Sequence, residues 1–106
     1  MGKYLFQVSY TAEGAKGVLK EGGSSRRAMV EGLMEGLGGS LESFYFAFGE
    51  DDVYLIGDLP DNVSSAAVSM TVGASGAARV KTVVLLTAEE IDQATQRSVA
   101  YRPPGA

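Results

Sequence analysis

The chain has 106 residues, 45% apolar and 21% charged, which suits one hydrophobic core and excludes disorder across its length. It contains no cysteine and no histidine, so disulfides, thiolate chemistry, histidine-based triads and metal sites built on either residue are excluded. A formal net charge of −4 argues against general affinity for nucleic acid or anionic membrane, both of which need clustered Lys and Arg.

In chain order, "KYLFQVSY" (3–10) alternates aromatic and β-branched residues with polar ones and predicts a strand. Its apolar run is too short for a membrane span or a signal peptide, and the default location is cytoplasmic. The following segment has four glycines between Gly14 and Gly23, which predicts at most a short helix and then a loop. "SSRRAMVEGLMEGLGG" predicts a helix capped by Ser24 or Ser25, with Val30, Leu33, Met34 and Leu37 on one face and Gly38-Gly39 at its end.

"SLESFYFAF" and "VYLIGDL" predict a hairpin of two strands joined through Gly49 to Asp52. Asp61, after Pro60, is placed to cap a helix whose apolar face carries Val63, Ala66, Ala67, Met70 and Ala74, and which Gly76 stops. "RVKTVVLL" predicts a fourth strand. "TAEE" (87–90) is a capping box that opens a last helix. The order βαββαβ with an added C-terminal helix predicts an α+β, ferredoxin-like domain over residues 1–99, an antiparallel four-stranded sheet with its helices on one face, and a flexible tail over residues 100–106. That tail, Tyr101–Ala106, cannot continue a helix past Pro103.

Alternation places Phe44, Phe46 and Phe48 on one side of the second strand and Tyr45 and Ala47 on the other. It likewise opposes Val53 and Leu55 to Tyr54 and Ile56, and Val80, Val84 and Leu86 to Val83 and Leu85. Large apolar groups therefore fall on both sheet faces, which predicts a homo-oligomer, most simply a two-fold dimer with its sheets face to face.

The chain resembles the GYD-domain family, small bacterial and archaeal proteins of ferredoxin-like fold related to dimeric α/β barrels. The matching residues are Thr11 and Gly14, Gly38-Gly39, "FYFAFGEDDVYLIGDLPD", "ASGA" at 74–77 and "LLTAEE" at 85–90. The family's Gly-Tyr-Asp motif reads Gly49-Glu50-Asp51 here, with glutamate in place of the tyrosine, so no role of that ring carries over. The resemblance implies an oligomeric barrel-type protein and assigns no reaction.

Candidate chemistry is sparse. Glu50, Asp51 and Asp52 are hard-cation ligand types, but neighbours on extended backbone point apart and no EF-hand spacing follows. The reading is a solvated turn, with no metal and no cofactor. Asp58, late in an apolar strand, is the one candidate acid/base if burial raises its pKa. Gly57 beside it reads as a bulge, or as room for a ligand or another backbone. Arg26 lies on the sheet-facing stripe of the first long helix, where a guanidinium suits a carboxylate or phosphate, and Arg27 is spaced to pair with Glu31. Tyr10 ends the first strand near the same place. These residues define an expected small-molecule site of Arg26, Tyr10 and Asp58 between sheet and helices. The alternatives are a cofactor-free isomerase or oxygenase using Asp58 or a tyrosine, and a structural or regulatory subunit without ligand. "FYFAF" lacks the basic residue, glycine and strand position of an RNA-recognition sheet.

Overall fold

The computed structural model describes residues 1–106 and contains β1 (Gly2–Tyr10), α1 (Ala12–Glu21), α2 (Gly23–Gly36), β2 (Ser40–Phe46), β3 (Val53–Leu59), α3 (Asn62–Ala74), β4 (Ala78–Leu85) and α4 (Ala88–Thr95). The strands form one antiparallel sheet in the order β2-β3-β1-β4. Each of the two crossovers, from β1 to β2 and from β3 to β4, skips one intervening strand, and the crossover helices pack on a single face. This is the ferredoxin-like α+β arrangement. No helix is long and apolar enough to cross a membrane.

The glycine-dense segment forms a full ten-residue helix, α1, where at most a short one is expected. Each interior glycine costs about 1 kcal/mol relative to alanine, and local chemistry offsets this. The Thr11 hydroxyl accepts from the Gly14 amide at 3.3 Å, Glu13 and Lys20 sit at the helix ends that suit their charges, and Gly22 (φ 85) closes the helix. Thr11 also ties α1 to the turn before β4. Its amide donates to the Ala77 carbonyl at 3.0 Å and its hydroxyl to the Gly76 carbonyl at 2.8 Å. Because α2 follows α1 directly, its N-cap is Gly22, with no side-chain cap, and neither Ser24 nor Ser25 serves.

The cap of α3 is as expected: the Asp61 carboxylate accepts from the Ser64 amide at 2.8 Å. So is the capping box of α4, in which Thr87 Oγ accepts from the Glu90 amide at 3.1 Å and Glu90 Oε1 from the Thr87 amide at 2.9 Å. β2 and β3 form the expected hairpin, closed by the Ala47 amide donating to the Asp52 carbonyl at 2.8 Å, but its connection is longer than expected. β2 ends at Phe46, and Phe48 lies fully exposed in the connection rather than alternating with Phe44 and Phe46. The irregularity of this pair falls between Leu41 and Ser43, where Glu42 is inserted, not at Gly57. Gly57 instead gives up its side chain to Met34: a Cβ there would lie 2.9 Å from the Met34 sulfur.

The core lies between the sheet and the helices. Tyr4, Phe6 and Val8 of β1 alternate inward beside Val53, Leu55 and Leu59 of β3, and Met34, Val68 and Ala78 complete the buried set. The rotation of α3 reverses the expectation. Ser65 and Val68 are buried with Val72 packed beside them, while Val63 (77% exposed), Ala66, Ala67, Met70 (74% exposed) and Ala74 face outward. With no charged residue between Asn62 and Ala74, this helix has no side that must face water, and its packing partners choose the rotation.

The other sheet face carries no helix. At its centre Leu5 pairs with Ile56 and Val83, next to a row in which Gln7 pairs with Tyr54 and Lys81. Its ends are charged: Lys3 reaches Glu42 at 3.0 Å and Asp58 at 3.5 Å, and Lys81 reaches Asp51 at 3.2 Å. This face is an apolar centre within a charged rim rather than apolar throughout.

After Leu85 the chain leaves the sheet. Every residue from Ala88 to Ala106 is exposed. The molecule measures 57 × 33 × 23 Å, with a radius of gyration of 16.9 Å. A compact domain of this length has about 13 Å.

Candidate functional site

α2 packs over β2 and α3 over β4, leaving a cleft above the two central strands. Phe6, Val8, Val53 and Leu55 form its floor, Met29, Val30, Leu33 and Met34 one wall, and Val68 and Val72 the other. Its enclosed volume is about 40 Å3, room for a few waters. Thirteen of its fourteen lining residues are apolar, and the exception is Arg26.

Arg26 sits half-buried in the first turns of α2, and Tyr10 ends β1 beside it. The same two residues border a second hollow of about 140 Å3 under α1, lined also by Glu13, Gly17, Val18 and Glu21. Tyr10 and Arg26 thus stand between an apolar cleft and a polar vestibule. Burial pushes the Tyr10 phenol above its ordinary pKa, against the smaller opposing pull of the Arg26 guanidinium, so the ring keeps its proton at neutral pH. The pair offers one fixed positive charge and one neutral hydroxyl, suited to the polar end of a mostly apolar molecule.

Asp58 does not join them. It projects from the helix-free face of the sheet, opposite the cleft, where Lys3 is its partner at 3.5 Å and its Oδ1 is buried without a hydrogen bond. Strand parity carries this result: Gly57 and Leu59 face the core, so Asp58 faces away. Sequence reasoning missed the vestibule residues Glu13 and Glu21, because the signal that would have revealed them is the Thr11 cap of a helix otherwise hidden by its glycines.

The acidic turn is more than a solvated loop. Gly49 and Glu50 are exposed, but Asp51 is only 2% exposed. Its carboxylate accepts from the Ser9 hydroxyl at 2.8 Å and meets Lys81 at 3.2 Å. Foremost the Ser9 hydrogen bond, then Lys81, hold it below the usual carboxylate range. The Asp52 carboxylate accepts from the Tyr10 amide at 2.8 Å. Asp51 and Asp52 thus turn to different partners, while Glu50 comes within 3.8 Å of the same Lys81 ammonium that Asp51 meets, and no three potential metal-ligating side chains converge. Arg27 pairs with Glu31 at 3.4 Å, as its spacing predicts.

Fold and site together define a small α+β protein of ferredoxin-like topology with an apolar cleft under its helices. The sequence profile of the GYD domain matches residues 4–95, and the chain belongs to that family. No curated protein and no solved structure matches the chain. The residues that carry the family resemblance are structural joints here: Thr11 and Gly14 against Gly76-Ala77, and Asp51-Asp52 against Ser9-Tyr10.

Proposed function

We propose that this GYD-domain chain is a small-molecule-binding protein that assembles with itself through the helix-free face of its sheet. The observation that carries the reading is the cleft, an almost wholly apolar space with a single guanidinium and a protonated phenol at its mouth. A ligand that fits this chemistry is slim and apolar with one anionic or hydrogen-bonding end. Because the enclosed volume is only about 40 Å3, entry requires α2 and α3 to part, and the flexible Met29 and Met34 side chains make that wall adaptable. Self-assembly is supported by the sheet face, whose apolar centre and charged rim have the anatomy of a protein interface.

Native mass spectrometry of freshly purified protein, with a parallel titration by anilinonaphthalene sulfonate, tests both parts. The expected result is an oligomer that enhances the dye's fluorescence, with affinity reduced about tenfold in Arg26→Ala, the equivalent of one charge-assisted contact. A clean oligomer with no retained mass and no Arg26-dependent dye binding would favour a structural subunit without ligand. A monomer would remove the assembly reading.

A further inference from the structure

We infer that the C-terminal arm, α4 and the segment after it, packs on a second copy of this chain, over the uncharged outer face of α3 and the groove between α3 and β4. This rests on the reading that the chain assembles with itself, but it uses a different surface from the sheet face.

The arm has structure without support. α4 has eight residues, none buried, and an isolated helix shorter than about 12–15 residues is marginal in water. Its capping box satisfies the first amides but supplies no apolar contact. Leu86 (59% exposed) just before α4 and Ile91 (47%), Val99 (80%) and Tyr101 (73%) along the arm are all exposed.

The receiving surface is equally unpartnered. α3 presents Val63, Ala66, Ala67 and Met70 to the outside and has no charged side chain to solvate that face. Beside it runs an open groove of about 380 Å3, bordered by Met70 and by Val84 of β4. An exposed helix face without charge beside an open groove is a surface suited to burial under another segment.

A second copy is the occupant because donor and acceptor surfaces lie on the same edge of the same chain. Val84 borders the groove and Leu86, two residues later, leads into the arm. α4 buries none of its residues, and none of them lines the groove beside its own α3. A two-fold axis near the end of β4 would lay each arm over the other chain's groove and satisfy both surfaces twice, with no third component.

The natural chain has no cysteine, so Gln93→Cys in the full-length protein carries a benzophenone at one defined point on α4. This protein is mixed with isotope-labelled unmodified chain, sedimented, irradiated and mapped by mass spectrometry. The expected result is an oligomer with cross-links between chains, from position 93 to residues 62–74 or 82–86, and a Kd raised about tenfold or more by Met70→Asp. An oligomer whose cross-links stay within one chain or fall elsewhere, and which Leu5→Asp but not Met70→Asp dissociates, would overturn the arm and leave the sheet-face reading standing. A full-length monomer would overturn both.

Discussion

The Ser9 hydroxyl donates to the Asp51 carboxylate at 2.8 Å, fastening the end of β1 to the connection between β2 and β3. Lys81 of β4 reaches the same carboxylate at 3.2 Å, so one side chain joins the β2–β3 connection to two further strands. Asp51 is held below its ordinary pKa first by Ser9 and then by Lys81. A depressed folded-state pKa gives stability that is present above the unfolded value, about pH 4, and lost as pH falls through the folded value. Asp51→Asn should therefore lower Tm by several degrees at neutral pH and flatten the stability profile on the acid side. Thermal melts of both proteins between about pH 2 and 7 check this, and parallel profiles would contradict it.

At the alkaline end the sign reverses. The Tyr10 phenol is raised by burial, and Lys3 and Lys81 are raised chiefly by Glu42 and Asp51 respectively. Raised groups contribute fully below their unfolded values, about 10 for all three, and the contribution is lost as pH rises through the folded ones. Stability should fall above about pH 10, less steeply in Tyr10→Phe. In an absorbance titration of tyrosinate, that variant should lose a late-titrating ring, and loss of an early one would contradict the burial argument.

Gly57 and Met34 share one volume. Gly57→Ala places its Cβ 2.9 Å from the Met34 sulfur. Overpacking of this kind costs about 1–3 kcal/mol. Met34→Ala alone should cost about 2–5 kcal/mol through the cavity it leaves. The double variant should be less destabilised than the sum, because the added methyl enters the vacated space. Denaturant melts arranged as a double-mutant cycle measure the coupling, and strict additivity would count against the contact.

The orientation of α3 is tested by two valines. Val68, 7% exposed, should lose about 2 kcal/mol on substitution by alanine. Val63, 77% exposed, should stay within about 0.5 kcal/mol in the dissociated chain. The opposite ranking in chemical denaturation would turn the helix around.

What the sequence determined by itself is whatever rests on neighbours along the chain. Four strands follow from alternation, α3 and α4 begin at Asp61 and Thr87 because a side-chain oxygen three residues before a free amide caps it wherever the helix lies, and the order of these elements leaves the ferredoxin-like topology as the natural solution. α1 was obscured because glycine lowers local helix propensity, and its compensating ties run to Gly76 and Ala77 across the fold. Only the tertiary structure decided which way surfaces face. α3 has no charge to fix its rotation, Asp58 takes its side from strand parity, and Asp51 is buried because Ser9 and Lys81 arrive from other strands. Tyr10 and Arg26 meet for the same reason: their nearness follows from how β1 and α2 pack, and no local pattern encodes that distance.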